Sequence, residues 1–129
     1  MRKTLILLSG LFLTACGDKP ITTEDLVSTM KASGVEINDV KDLKNDSFMM
    51  QGFKERFSFS IPEVAPKGGQ AFICEKKDEC TPVFAYFYAL RNLAGPHLYQ
   101  SPNGKVVLQL NIDLTEETAK KLEQAISKY

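Results

Sequence analysis

The sequence predicts a single α+β domain in which an antiparallel sheet is covered by helices on one face. Apolar and polar residues alternate over 54–61, which is typical of a half-buried strand. A Pro-Asn-Gly turn at 102–104 lies inside segment 96–112, so this segment is predicted to form a hairpin. Thr115 precedes a charged amphipathic segment and predicts a capped final helix. The order helix, strands, helix, hairpin, helix fits one layered domain.

The first predicted helix spans 23–33. Thr22 or Thr23 is suited to cap this helix, because its side-chain oxygen can accept a hydrogen bond from an N–H group of the first turn. Gly34 supplies the stop. Further along, the pattern predicts an extended segment over 35–40, a turn at 45–47, and strands over 54–61 and 70–75.

Segment 81–93 has features of both a strand and a helix. Its aromatic and β-branched residues favour a strand, whereas its length and its alanines favour a helix. We predict a helix, because Pro82 fits the first helical turn. In a helix, four of its side chains fall on one face, namely Phe84, Phe87, Tyr88 and Arg91.

A binding surface is predicted at three tyrosines, Tyr86, Tyr88 and Tyr99. A helix cannot bury every side, and Tyr86 should point away from the phenylalanines of the same segment, whose expected role is core packing. Met49 and Met50 lie beside two further phenylalanines and provide either an adaptable apolar contact or core filling.

The first residues have the three-part plan of a secretory signal. Arg2 and Lys3 precede an apolar run over 5–13, and the small residues Thr14 and Ala15 follow. This run is too short for a permanent membrane span, which needs about 20 residues. We therefore expect the segment to direct export and then to be removed.

The end of this signal, Leu13-Thr14-Ala15-Cys16, resembles the lipobox of bacterial lipoproteins. The resemblance implies that the Cys16 thiol is diacylglycerated and that the signal 1–15 is removed. In most Gram-negative cells the new amine is also acylated, with palmitate as the expected fatty acid. The alternative is an ordinary cleavable signal in which Cys16 is incidental.

Gly17 bears on the expected location. In Gram-negative lipoproteins an aspartate directly after the acylated cysteine usually retains the protein in the inner membrane, and here Asp18 comes one residue later. The resemblance therefore implies the periplasmic face of the outer membrane. In a Gram-positive host the anchor would lie in the cytoplasmic membrane.

The rest of the chain is predicted to form a tether over 16–22 and one domain over 23–129. Segment 17–23 could span at most about 23 Å when fully extended. Without its signal, the chain has the size of one domain with one core. Acidic residues then slightly outnumber basic ones, and no dense basic cluster indicates a nucleic-acid partner.

Cys74 and Cys80 are expected to form a disulfide in an oxidising compartment. Closing so small a ring should stabilise the fold by about 2.4 kcal/mol. A redox pair or a metal site is the alternative. Redox pairs usually have the tighter C-x-x-C spacing, and zinc would need two more ligands.

No catalytic residue, metal or cofactor is predicted. His97 is the single histidine, and no activated-serine motif accompanies it, so we interpret it as a turn or edge residue. Gly104 and Lys105 lack the upstream glycine of a phosphate loop. Acidic side chains are interpreted as solvated surface groups; they include Asp39, Asp42, Asp46, Glu55 and Glu63.

The leading functional hypothesis is a non-enzymatic, lipid-anchored domain that binds another envelope protein. It depends on the anchor at Cys16, the short tether and the missing catalytic motif. One alternative is a small-ligand-binding domain in the periplasm, with a pocket between the sheet and the aromatic helix. Another is a hydrolase, which requires a concave cluster containing His97 or paired carboxylates.

Overall fold

The computed structural model describes residues 19–46, 48 and 52–129, and it confirms a single α+β domain built on an antiparallel sheet. The strands run in the order β1-β2-β3-β5-β4 across the sheet. They are β1 (Asn38–Asp42), β2 (Glu55–Ser60), β3 (Gly68–Ile73), β4 (Leu98–Gln100) and β5 (Val106–Leu110). The helices are α1 (Thr23–Ala32), α2 (Lys77–Ala89), α3 (Arg91–Ala94) and α4 (Glu116–Ile126), and a 3-10 turn spans Pro62–Val64.

The main core lies between one face of the sheet and the helices α1 and α4. Pairing of β2 with β3 and of β3 with β5 sets Phe57, Ala71 and Leu108 side by side on this face. Burial of such side chains is the main stabilising contribution to the fold. The helices cover them with fully buried side chains, including Leu26, Met30, Leu122 and Ile126.

A second, smaller core lies on the opposite face of the sheet, under α2. Phe72 and Val107 pair across β3 and β5 and point to this face, where Cys80, Val83 and Phe87 of α2 bury them. The sequence prediction placed helices on one face alone, so α2 adds a layer to the predicted architecture. Alternation in β3 makes this layer necessary, because Phe72 would otherwise lie in water.

The buried face of α2 differs from the predicted one. The helix starts at Lys77, four residues earlier than expected, and ends at Ala89 before the separate turn of α3. Its inward side chains are Cys80, Val83 and Phe87, whereas Tyr88 is exposed. The disulfide to Cys74 holds Cys80 against the sheet, and the helical period then turns positions three and seven residues later inward.

Both predicted helix caps are present. Thr22 Oγ1 accepts a hydrogen bond from the Asp25 N–H at 3.1 Å, and Thr115 Oγ1 accepts one from the Thr118 N–H at 3.3 Å. Ion pairs between Lys120 and Glu116 and between Lys121 and Glu117 form on α4, at 3.2 and 3.8 Å. They are exposed, so each contributes at most about 0.5 kcal/mol.

The packed part of the chain begins before α1. Ile21, which the sequence prediction assigned to the tether, is buried in the main core because its apolar side chain fits under α1 and the sheet. The segment available as a tether is therefore shorter than predicted.

Met49, Met50 and the lipobox lie outside the described residues. Within the described ranges, no helix has the length and hydropathy needed to cross a bilayer.

Candidate functional site

The three predicted binding tyrosines do not come together. Tyr86 packs edge-on against Phe48 and Phe87, with ring centroids 5.7 and 5.2 Å apart. Tyr88 is 52% exposed on α2. Tyr99 lies on the opposite face of the sheet and packs against the main core. Burial, with smaller contributions from the nearby glutamates of α4, raises the pKa of Tyr99.

Aromatic side chains fill the space between α2 and the sheet. The ring of Phe72 lies 5.3 Å from Phe48, 5.3 Å from Phe53 and 5.7 Å from Phe87, measured between centroids. Such pairs contribute about 0.5–1.5 kcal/mol each beyond their buried area. They occupy the place where the ligand-binding hypothesis put a pocket.

Arg56 links this aromatic cluster to a polar row on the same face. Its guanidinium carbon lies 4.7 Å from the centroid of Phe48, and Nε and Nη2 donate to Gln70 Oε1 at 3.0 and 2.9 Å. Gln70 in turn donates to Gln109 at 3.1 Å. Burial lowers the pKa of Arg56. The negative charge of Asp46 acts in the opposite direction and raises it. Nη1 is buried, and no acceptor among the described residues reaches it.

Cys74 and Cys80 form the predicted disulfide, which joins the residue after β3 to α2. Their exposed fractions are 3% and 0%, so both side chains are shielded from solvent. In the part of the chain that the structure describes, no group of three or more histidine, cysteine or acidic side chains is arranged to hold a metal ion.

His97 is buried, and its side chain forms a hydrogen bond with the backbone. Its Nε2 lies 2.9 Å from the carbonyl oxygen of Leu114, a contact that ties the start of β4 to the segment before α4. His97 thus lies directly before β4, which is the last strand in the order of the sheet.

The five acidic side chains that the sequence analysis interpreted as surface groups all interact with other residues of the domain. Glu55 accepts hydrogen bonds from the N–H and hydroxyl of Thr23, at 2.7 and 3.0 Å, and so contacts the first residue of α1. Asp39 accepts from the Ser60 hydroxyl at 2.6 Å. Asp42 accepts from the Lys44 N–H, Asp46 interacts electrostatically with Arg56, and Glu63 accepts from Thr115 and Thr118.

A cleft of about 890 Å³ lies at one end of the sheet, where the segment before α1 meets the end of β3 and the turn between β4 and β5. Sequence reasoning missed it, because its walls come from segments that are far apart in the chain. Basic side chains are prominent in its lining, which contains Lys19, Lys54, Lys105 and Lys128 against Asp25 and Glu75.

The opposite end of the sheet carries exposed apolar side chains. Leu93 in α3 is 82% exposed and Ile112, just after β5, is 49% exposed. The backbone at Gly95 packs directly against Ile112, which brings these two segments together. Tyr88 stacks under the guanidinium of Arg91, 4.2 Å from the ring centroid. We call Tyr88, Arg91, Leu93 and Ile112 the distal surface.

Fold and surfaces together define a small disulfide-bonded α+β domain with a lysine-lined cleft at one end and the distal surface at the other. The sequence matches no family model, no curated protein and no solved structure. Function is therefore inferred from the chain's own residues.

Proposed function

We propose that this chain is the precursor of a lipid-anchored envelope protein whose domain binds another envelope protein and catalyses no reaction. The observation that carries the proposal is that the cleft and the distal surface lie at opposite ends of the domain. Lys19, three residues after the predicted lipid attachment at Cys16, lines the cleft, and the distal surface lies at the other end of β5. Anchored in this way, the domain presents its exposed apolar side chains away from the membrane.

The short connection between Cys16 and the domain supports this orientation. Three residues span at most about 11 Å even when fully extended. Ile21, two residues beyond Lys19, is held in the main core. An anchor at Cys16 would therefore keep the cleft end against the bilayer and restrict tumbling of the domain.

The composition of the distal surface supports protein binding. Tyr88 and Arg91 belong to the residue types that contribute most to protein interfaces, and Leu93 and Ile112 add exposed apolar area at the same end of the domain. Leu93 is the most exposed of the large apolar side chains among the described residues. Covering it with a partner would remove apolar area from water and favour association.

Pull-down from detergent-solubilised envelopes, with Cys16 intact, tests the proposal. The native protein should recover a partner, and the double substitution Leu93→Glu/Ile112→Glu should lose it, because two carboxylates would be buried unpaired. Val40→Glu is a matched control, since Val40 is also exposed but lies on β1.

Thermal unfolding by circular dichroism should show that all three proteins are folded. Repeated recovery of the native protein alone would contradict the proposal, as would a partner that the double variant binds equally well.

A further inference from the structure

Several cationic side chains line the cleft. In the described part of the chain, none of Lys19, Lys54 and Lys128 forms an ion pair with a carboxylate. Lys54 is also half-buried, and the Lys128 ammonium lies 5.3 Å from the ring centroid of Tyr129. Cationic side chains that converge in a concave surface concentrate anions there.

Neutral hydrogen-bond donors lie beside these lysines. Asn103 Oδ1 accepts from the Ser101 hydroxyl at 2.8 Å and from the Lys105 N–H at 2.9 Å, which leaves the Nδ2 group as a donor. The hydroxyls of Thr29 and Tyr129 share one hydrogen bond of 2.8 Å, so one of the two hydrogens is not used by it. Phosphate oxygens accept from both kinds of donor.

The acidic side chains of the cleft limit the charge of a suitable ligand. Asp25 and Glu75 offset part of the lysine charge, and Asp25 also lies in the first turn of α1, whose helix dipole it complements. The remaining positive excess suits a singly charged phosphodiester better than a polyanion. The cleft also has the volume of a small-molecule site, about 300–1,000 Å³.

The position of the cleft identifies the source of that phosphodiester. We infer that the cleft binds the phosphate of anionic phospholipid headgroups in the membrane that holds Cys16. The inference rests on the proposed lipid anchor. With Lys19 within about 11 Å of Cys16, the lysines lie at the depth of the headgroup layer, which is about 5–7 Å thick on each side of a bilayer.

Hydrogen exchange of the full lipidated protein in lipid nanodiscs tests this inference. Discs of phosphatidylcholine are compared with discs that also contain phosphatidylglycerol. The anionic lipid should slow amide exchange about threefold or more in segments 19–30 and 101–106. Segments 91–97 and 111–114, at the other end of the sheet, should exchange equally in both discs.

Charge variants provide the matched comparison. Lys54→Gln/Lys128→Gln should abolish the slowing, whereas Lys41→Gln/Lys67→Gln should retain it. The control removes the same charge from exposed sites outside the cleft; Lys67, in the turn between β2 and β3, lies about 20 Å along β2 from Lys54. Salt at 1 M should also remove the effect, since the screening length falls to about 3 Å.

Three results would overturn the inference. They are equal exchange in both discs, unchanged slowing in the cleft double variant, and equal slowing by soluble glycerol phosphate added to phosphatidylcholine discs, which would assign the cleft to a free phosphate compound. The intact mass of the purified protein reports the fatty acids on Cys16 independently, so a failed anchor is distinguished from failed headgroup binding.

Discussion

Glu63 shows how a single side chain fixes the start of a helix. Its two carboxylate oxygens accept hydrogen bonds from the Thr115 N–H at 2.9 Å and from the Thr118 hydroxyl at 2.7 Å. These hydrogen bonds lower the pKa of Glu63, and the bond from the Thr118 hydroxyl has the largest effect. A carboxylate from the 3-10 turn therefore stabilises the first turn of α4 from outside the helix.

The lowered pKa predicts a contribution to stability that depends on pH. Because the folded-state pKa lies below the unfolded value, the contribution is fully present above the unfolded pKa, about 4.3, and is lost as the pH falls through the folded value. Urea unfolding of Glu63→Gln between pH 2 and 7, measured by circular dichroism, should show lower stability at neutral pH and a shallower decline in acid than the native protein.

Glu24→Gln, which removes an exposed carboxylate from the first turn of α1, controls for the loss of one negative charge. An acid decline in Glu63→Gln as steep as that of the native protein would show that Glu63 does not contribute.

The position of α2 illustrates which element-level features follow from sequence. Alternation over 54–61 correctly predicted β2, and the threonine caps correctly located the starts of α1 and α4. Neither pattern specifies which side of a sheet a helix covers. The layer formed by α2 and the separation of Tyr99 from Tyr86 and Tyr88 became apparent from tertiary packing alone.

The candidate sites were less predictable than the elements. Spacing indicated the Cys74 to Cys80 disulfide, because that contact is local. The cleft combines Lys19, Lys54, Asn103 and Lys128, and no periodic pattern relates positions so far apart. The alternation over 54–61 predicted a half-buried strand, yet aromatic rings also cover the polar side of this strand at Arg56.

The disulfide between the end of β3 and α2 is predicted to stabilise the second core. Replacing both residues, Cys74→Ser/Cys80→Ser, should lower the free energy of unfolding by about 2 kcal/mol, because the ring no longer restricts the unfolded chain. Urea denaturation of the variant and the native protein under oxidising conditions measures the difference.

Native protein unfolded and refolded with reductant should reproduce the stability of this variant, since it loses the same bond without a substitution. Equal stability of the oxidised native protein and the variant would contradict the prediction.

For the whole molecule, the proposed lipid attachment at Cys16 would decide which way both surfaces face. Cys16→Ser is predicted to stop cleavage after Ala15 and to prevent incorporation of labelled fatty acid, because the acylated thiol is lost. Metabolic labelling with palmitate and the size of the product on a gel measure both effects. Gly17→Ala keeps a small residue at the next position and should be labelled normally. Labelling of the Cys16→Ser protein would disprove the anchor.

Under the proposed export, the contact between α1 and α4 has a consequence for the order of events. Thr29 and Tyr129, 100 residues apart in sequence, share a hydrogen bond, and α1 packs on α4 in the main core. In a chain that crosses the membrane with Cys16 first, α1 emerges without its partner and cannot complete the fold until α4 has followed. The modifying enzymes would therefore reach the Cys16 thiol while the neighbouring domain is still open, before the short connection brings it close to the bilayer.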